Sequence, residues 1–161
     1  MTGPVICRYR DNSREADSEV EMDIPMELCQ VLISETTDQQ MIVLKEREVS
    51  RRFPISIGIS EAVAIDRRLK GLRFVRPMTH DLLASVIEEM GGDLERIVIN
   101  DLRDIDVDGV PHGTFFARLH VRQDDHVLEI DSRPSDAIAL GIAYDTPIYV
   151  TDWILNAVAG G

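Results

Sequence analysis

Apolar positions after residue 25 follow two different periods, which separate predicted strands from predicted helices. Residues 53–59 alternate between apolar and smaller or polar side chains, and a period of two is typical of a strand with one buried face. After residue 79 the apolar side chains recur at helical spacing, in a stripe of Leu82, Leu83, Val86, Ile87 and Met90. The first half is therefore predicted to contain three strands and then two helices, at residues 26–34, 40–46, 52–59, 61–70 and 79–90.

Capping residues indicate where these two helices begin and end. Ser60 is the predicted N-cap of the first helix, and Glu61 follows where the positive end of the helix dipole favours a carboxylate. Gly71 suits the C-terminal cap of that helix. Thr79 opens the second helix, and the glycine pair at 91–92 ends it.

The second half of the chain repeats this order of elements. Its predicted strands are residues 94–102, 113–122 and 127–132, followed by a helix at 134–144, a strand at 147–150 and a short helix at 152–158. SEAVAI at residues 60–65 aligns with SDAIAL at 135–140, an offset of 75 residues. FV at 74–75 falls on YV at 149–150 at the same offset, and DLL at 81–83 falls on WIL at 153–155 at an offset of 72. Three matches in register predict an internal duplication.

This pattern predicts an α+β fold in one domain at residues 25–159. The repeats span about residues 26–92 and 93–159, and each contributes three strands and two helices. Their strands are expected to form a single curved or barrel-like sheet with the helices packed outside. Residues 1–24 are rich in acidic side chains and show no clear period, so they predict a mobile N-terminal arm.

Composition and charge narrow the possible functions. The formal net charge is −12, which argues against general coating of nucleic acid but leaves a local basic site open. Cys7 and Cys29 are far apart, so neither a disulfide framework nor a structural zinc site is predicted. No apolar run reaches the roughly 18 residues of a membrane span, and residues 1–14 lack the apolar core of a secretory signal. We expect a cytoplasmic protein with no membrane partner.

Five segments carry a resemblance to a known family. They are FPISIG at residues 53–58, THDLL at 79–83, DLRD at 101–104, GTFFA at 113–117 and SRPSDAIAL at 132–140. From about Met26 to Val158 the chain resembles the bifunctional nuclease domain family, and the last segment is the most specific match. The resemblance implies a duplicated fold with a barrel-like sheet, a tendency to form oligomers, and nuclease activity on DNA and RNA.

The resemblance also implies which residues carry the chemistry, because nucleases commonly use carboxylates around a divalent cation and basic groups on the phosphate. The catalytic candidates are His80, Asp81, Asp101, Arg133 and Asp136. The phosphate-binding candidates are Arg73, Arg76, Arg103 and Ser135. The candidate ligands of a divalent cation, Mg²⁺ or Mn²⁺, are Asp101, Asp131 and Asp136. Residues 105–112 depart from the family pattern as an insertion that lengthens the hairpin after Asp104.

Several candidates have a structural interpretation that the sequence leaves open. Asp81 and Asp136 lie in first helical turns, where a carboxylate complements the dipole without taking part in chemistry. His80 suits either helix capping or proton transfer. Arg133 suits either phosphate binding at a helix N-terminus or an ion pair with Asp131, with Asp136 or with an acid of the other repeat.

Two further segments allow a functional and a structural interpretation. Residues 67–80 contain no acid and predict a phosphate-facing basic patch, although part of it also suits the C-terminus of the first helix. Residues 104–109 imitate the start of an EF-hand loop. Phe115 stands at its twelfth position, where a bidentate Glu is required, so a solvated turn is predicted.

Two functions remain from these observations. The first is a nuclease that hydrolyses phosphodiester bonds of DNA or RNA with the help of a metal ion. The alternative is a non-catalytic homo-oligomer, with a dimer as the first choice, that binds a protein or a small ligand. The acidic composition supports the alternative, and the basic stretch at 67–80 supports the nuclease.

Overall fold

The computed structural model describes residues 22–34, 36–37, 39–72 and 74–159. Within them the strands are β1 (Asp23–Ile33), β2 (Gln40–Glu46), β3 (Arg52–Ile57), β4 (Gly92–Val107), β5 (Val110–Gln123), β6 (His126–Ser132) and β7 (Ile148–Thr151). The helices are α1 (Ile59–Leu69), α2 (Thr79–Glu89), α3 (Pro134–Gly141) and α4 (Asp152–Ala159), with a 3-10 turn at Ile142–Tyr144. Residues 1–21 of the predicted arm and the candidate Arg73 lie outside the described residues.

All seven strands belong to one mixed sheet in the order β3-β2-β1-β7-β4-β5-β6. Neighbouring strands are antiparallel except β4 and β7, which are parallel. The fold is therefore α+β, as the sequence predicts. The sheet is open, with β3 and β6 at its edges, so the expected closure into a barrel is wrong. Pro54 lies in β3 and has no backbone N–H to donate, which suits an edge strand.

The open sheet is nevertheless strongly curved. Phe53 lies in β3 and Phe115 in β5, five strand spacings away, which is about 24 Å in a flat sheet. Their ring centroids are only 5.7 Å apart. The sheet must therefore bend so that its two ends approach each other, which leaves a gap instead of a closed barrel seam.

The hydrophobic core lies between the sheet and the helices. Nearly all of α3 is buried, because its small side chains allow the helix to approach both β4 and α1 closely. A Cβ at Gly141 would lie 2.5 Å from Ile97 Cδ1 and 3.1 Å from Thr146 Cβ, so glycine lets α3 pack on β4 without a shift of these side chains. The largest fully buried side chains are Phe53, Met26, Ile42, Leu44, Ile65, Ile97, Ile99, Ile138, Leu140, Ile154, Leu155 and Val150. None of the helices in the described part of the chain is long and apolar enough to cross a membrane.

The first two helices differ from the sequence expectation in detail. Helix α1 begins at Ile59 with Gly58 as its N-cap, so the prediction of Ser60 as the cap is wrong. In α2 only Ala84 is fully buried, and most of the predicted apolar stripe is exposed, with Leu82 at 57% and Met90 at 68%. The helix packs on the rest of the fold through Ala84 and the partly buried Ile87, which leaves most of its larger apolar side chains on the surface.

The two halves share part of their order but not all of it. Each half supplies three consecutive antiparallel strands and then a helix, β1-β2-β3-α1 and β4-β5-β6-α3. After α3, β7 enters the middle of the sheet. After α1, by contrast, the described residues 72 and 74–78 form no strand. The duplication stays a prediction, and the sequence match of 74–75 with 149–150 joins segments of unlike structure.

The insertion at residues 105–112 extends β4 and β5 into a long two-stranded hairpin. Its pairing runs from Asp104 opposite Gly113 to Val107 opposite Val110. Asp108 and Gly109 form the turn with positive φ angles of 54° and 82°, a conformation typical of tight hairpins. Of the EF-hand-like residues 104–109, residues 104–107 therefore belong to β4, and only residues 108–109 form the predicted turn.

Candidate functional site

The N-terminal turns of α1, α2 and α3 each place a carboxylate at the third helical position. Glu61, Asp81 and Asp136 occupy these positions, because the N-caps are Gly58, Met78 and Arg133. An acid there is favoured by the helix dipole and by the unpaired backbone N–H groups of the first turn. These helix starts bring together side chains that are distant in the sequence.

Arg133 joins the starts of α1 and α3. Its Nε donates to Asp136 Oδ2 at 2.7 Å, and its Nη2 donates to Glu61 Oε1 at 2.7 Å. The Arg133 side chain is 65% exposed, whereas that of Glu61 is only 13% exposed. The predicted ion pair with Asp136 and with an acid of the first half is therefore present. Because the guanidinium faces solvent, it can also meet a ligand.

His80, in the first turn of α2, contacts the same carboxylate. Its Nε2 lies 3.2 Å from Asp136 Oδ1, and its side chain is partly buried. Burial of the Asp136 carboxyl raises its pKa, but hydrogen bonds from Arg133 and His80 outweigh burial and hold the pKa below its ordinary value. The same carboxylate, together with Glu61, raises the pKa of Arg133. Asp136 therefore stays ionised between two basic side chains.

The side chains of His80, Arg133 and Asp136 line an open groove of about 650 Å³, here called the His80 groove. Asp131 lies on the same groove, near the end of β6. The remaining walls are mainly apolar side chains of α2, β5 and β6, namely Leu83, Ile87, Phe115, Phe116, Leu119 and Ile130. The structure thus brings four of the predicted site residues, His80, Asp131, Arg133 and Asp136, to one surface.

Asp81 faces a second, smaller space. Its Oδ2 accepts a hydrogen bond from the backbone N–H of Met78 at 2.9 Å, and its Oδ1 accepts one from Arg68. With Arg67 and His80 these residues line a cavity of about 230 Å³, here called the Arg67 cavity. His80 belongs to both spaces, so the cavity and the His80 groove are neighbours.

The candidates on the long hairpin do not line the His80 groove, although Arg103 contacts Phe116 of its wall. Asp101 accepts hydrogen bonds from the backbone N–H of Leu102 at 2.9 Å and from Arg103 Nε at 2.5 Å. The Arg103 guanidinium lies 5.0 Å from the ring centroid of Phe116. Neither Asp101 nor Arg103 lines the His80 groove. The structure therefore does not unite them with His80 and Asp136.

The two other described phosphate-binding candidates occupy different environments. Arg76 is exposed in the connection between α1 and α2. Ser135 is buried in the first turn of α3, beside the gap between β3 and β5. Neither side chain lines the His80 groove, so a phosphate bound there would meet Arg133 before either of them.

The carboxylates do not fit a preformed site for a divalent cation. Both oxygens of Asp136 and both oxygens of Asp101 already accept hydrogen bonds from protein donors. Across residues 22–34, 36–37, 39–72 and 74–159, no three His, Cys, Asp or Glu side chains are grouped as they would be around a metal ion. Hard cations require several oxygen ligands at once, so Asp101, Asp131 and Asp136 do not form such a site in this arrangement.

Two residues of the site were missing from the sequence-based candidates. The local sequence pattern indicates only a helix-dipole role for Glu61, although the offset of 75 residues aligns it with Asp136. That alignment is the signal by which it could have been found. Arg68 belongs to the basic stretch at residues 67–80, and its pairing with Asp81 depends on how α1 and α2 lie relative to each other, which the sequence pattern does not contain.

Comparisons with known proteins identify a family and two relatives. The model of the bifunctional nuclease domain matches residues 42–160, which is more than half of the chain and includes α2 and α3. The chain is 34% identical over 125 residues to Rv1829, an uncharacterized protein of Mycobacterium tuberculosis strain H37Rv. The uncharacterized protein MT1877 of M. tuberculosis strain CDC 1551 shows the same identity. Each match covers 78% of this chain and 70% of the relative.

Proposed function

Because the chain belongs to the bifunctional nuclease domain family, we propose that it is a nuclease-like hydrolase that cleaves phosphodiester bonds of DNA, RNA or both. The observation that carries the proposal is the contact of His80 with Asp136 beside the exposed Arg133 guanidinium, at an open groove. A proton acceptor and a phosphate-binding cation are the two groups that such a reaction requires of the protein.

Each of the three side chains has a role in this proposal. Asp136 stays ionised and accepts the Nε2 proton of His80, which leaves the lone pair on Nδ1. Nδ1 then takes a proton from water as the water oxygen attacks phosphorus and the bond to the leaving oxygen breaks. Arg133 contacts the phosphate oxygens, where negative charge grows. The leaving oxygen is protonated by the imidazolium or by solvent.

Dependence on Mg²⁺ or Mn²⁺ remains part of the proposal from the family resemblance. The carboxylates of the site are engaged by Arg133, His80 and backbone donors, so no step above is assigned to a metal ion. Activity should therefore be measured with Mg²⁺, with Mn²⁺ and with a chelator. These three conditions separate hydrolysis by side chains alone from hydrolysis that recruits a cation.

The net charge of −12 sets the conditions for substrate binding. An acidic surface repels nucleic acid at long range, and salt weakens the attraction of the few local cations. Arg133 is the cation at the groove, and the Arg67 cavity adjoins it through His80. The proposal therefore predicts weak, salt-sensitive binding to a short stretch of nucleic acid and not broad coating. The cytoplasmic location inferred from the sequence belongs to the same proposal.

The direct test of the proposed function is cleavage of single- and double-stranded DNA and RNA by the purified protein at low salt. His80→Gln should reduce the rate by about 10²-fold or more, because a positioned general base contributes roughly that factor. His126→Gln is the matched control, since His126 is exposed at the start of β6 and does not line the groove. Intact substrates under all three metal conditions, or equal rates for the two variants, would contradict the proposal.

A second candidate function is supported by the exposed apolar side chains of α2 and β6. Leu82 in α2 and Met90 at its C-terminal cap are exposed in the single chain, as are Leu128 and Ile130 on β6. Apolar patches on a surface commonly mark contact with another protein. The candidate is a homo-oligomer, with a dimer as the first choice, that binds a protein or small ligand without catalysis.

A further inference from the structure

We propose that the Arg67 cavity binds a phosphate group, either as a free phosphate monoester or as the phosphorylated end of a nucleic acid strand. The cavity lies between the C-terminal half of α1 and the connection to α2. Its binding of phosphate does not require hydrolysis. Only its use for a strand end rests on the proposed nuclease function.

The first observation is an arginine without an acceptor. Arg67 Nε is buried and has no hydrogen-bond partner in the described part of the chain. Nearly all buried donors in proteins have a partner, so a donor that lacks one indicates a missing acceptor. Arg67 also forms no ion pair with a carboxylate among the described residues. An anion in the cavity that Arg67 lines would supply the counter-charge that this guanidinium lacks.

The second observation is that the Arg67 side chain is held in place. Its guanidinium carbon lies 3.5 Å from the ring centroid of Phe74, which fixes the cation by a cation–π contact. A guanidinium that is already oriented loses little conformational freedom when it binds a phosphate oxygen. Phe74 and Val75 belong to no strand and form part of the cavity wall.

The charges around the cavity favour an anion. Asp81 lines it, but its carboxylate is paired with Arg68. Lys70, near the end of α1, is paired with Asp66. Of Arg67, Arg68 and Lys70, only Arg67 has no carboxylate partner among the described residues. His80 also lines the cavity and adds a further polar side chain to its wall.

The size and the apolar walls limit the ligand. About 230 Å³ holds a phosphate with a sugar or a single nucleotide, and it is below the roughly 300 Å³ at which pockets for larger ligands begin. Leu72, Phe74 and Val75 supply apolar surface for the part of the ligand that carries no charge. A duplex does not fit such a space, so the nucleic acid form of the ligand is a single strand end.

The shared residue His80 connects this cavity with the proposed reaction. A strand whose terminal phosphate sits on Arg67 would extend past His80 into the groove that holds Asp136 and Arg133. The next phosphodiester bond would then lie beside the proposed proton acceptor. The cavity would in this way select strands by their phosphorylated end.

Equilibrium binding by calorimetry tests the proposal with four probes: inorganic phosphate, adenosine 5′-monophosphate, a 5′-phosphorylated tetranucleotide and the same tetranucleotide with a 5′-hydroxyl. Arg67→Gln should weaken binding of the phosphorylated probes at least tenfold, because it removes a charge-assisted hydrogen bond. Arg122→Gln is the matched control, since Arg122 pairs with Glu95 on the surface of β5. It should bind like the unchanged protein.

A second pair of variants tests binding at the same cavity in case Arg67→Gln impairs folding. Val75 is fully exposed and lines the cavity, so a substitution there leaves the core intact. Val75→Asp should weaken binding of phosphorylated probes severalfold through like-charge repulsion, whereas Val75→Asn should not. Equal binding by these two variants, or by Arg67→Gln and Arg122→Gln, would overturn the proposal, as would no binding of any phosphorylated probe at millimolar concentration.

The probes distinguish the two sources of phosphate. Preference for the 5′-phosphorylated over the 5′-hydroxyl tetranucleotide supports strand-end recognition. Binding restricted to inorganic phosphate and the mononucleotide supports a free phosphate monoester. Arg67-dependent binding in a protein that cleaves no substrate would keep this proposal and reject the nuclease. Cleavage that depends on His80, with no phosphate binding at Arg67, would keep the nuclease and reject the phosphate site in the Arg67 cavity.

Discussion

Arg133 shows how one side chain can be both structural and functional. It binds two carboxylates, Glu61 and Asp136, from helix starts that lie 75 residues apart in sequence, yet most of its surface faces solvent. The Glu61 carboxylate is the more buried partner, so it depends on Arg133 for its counter-charge. The same guanidinium that joins the two halves of the chain is therefore the cation available at the groove.

Loss of Arg133 should destabilise the fold moderately. Arg133→Gln leaves Glu61 largely buried without its cation, at a cost of about 1 kcal/mol, between the values typical of exposed and of buried pairs. Arg122→Gln removes a comparable pair at the surface and should cost less. Urea unfolding of both variants measures the difference. Equal free energies of unfolding would show that the contact with Glu61 contributes nothing specific.

At the scale of residues, the sequence predicted the positions of the site better than their contacts. His80, Arg133 and Asp136 lie at the predicted helix starts, because capping patterns are local and are visible in the sequence. The partner Glu61 and the separation of Asp101 from the groove depend on packing between distant segments. Sequence spacing contains no information on such contacts unless a repeat supplies it.

At the scale of elements, the periods in the sequence reflect burial on one face and predicted most strands and helices. The alternation over residues 53–59 marks β3, whose Phe53 and Ile55 are buried. The segment at 74–75 shows the limit, since similar apolar pairs form β7 in one half and a cavity wall in the other. Whether a short apolar segment joins a sheet depends on the edges available to it, here those of β1 and β4.

The β5 strand carries a histidine that should make stability depend on pH. Burial, and then the charge of Arg96, lower the pKa of His120 below its ordinary value of 6.5. Below pH 6.5, His120 binds protons more readily in the unfolded chain than in the folded protein. The stability of the folded protein therefore falls as the pH falls through 6.5 toward the lowered pKa. The contribution of neutral His120 is fully present above pH 6.5.

This effect can be measured from the free energy of unfolding at pH 7.5 and at pH 5.5. His120→Gln removes the titrating group, so its stability should decrease less between these two pH values than that of the unchanged protein. His126→Gln, at an exposed position, should behave like the unchanged protein. The prediction fails if His120→Gln loses as much stability on acidification as His126→Gln.

At the scale of the whole molecule, two surface features contrast with the acidic net charge of −12. One is the group of basic side chains at the His80 groove and the Arg67 cavity. The other is the exposed apolar surface of α2 and β6. Negative charge elsewhere restricts where nucleic acid can approach. The apolar surface suggests that a second copy of the chain approaches from the side of α2.

The apolar surface predicts a dimer in solution. Sedimentation should give about twice the protomer mass of 18.1 kDa. The double variant Leu82→Glu, Met90→Glu should shift the mass toward the protomer, because burying the new carboxylates in a contact costs several kcal/mol. Val49→Glu, an exposed apolar position between β2 and β3, is the control. A protomer mass for the unchanged protein would reject the dimer.

The most direct test of the central claim is the rate at which Asp136→Asn cleaves a single-stranded oligonucleotide. The Asn side chain keeps the shape of Asp136 but removes the charge that orients His80 and pairs with Arg133. Circular dichroism and sedimentation of the variant check whether folding and assembly are unchanged. The account predicts that cleavage falls by about 10²-fold or more. An unchanged rate in a folded Asp136→Asn protein would contradict it.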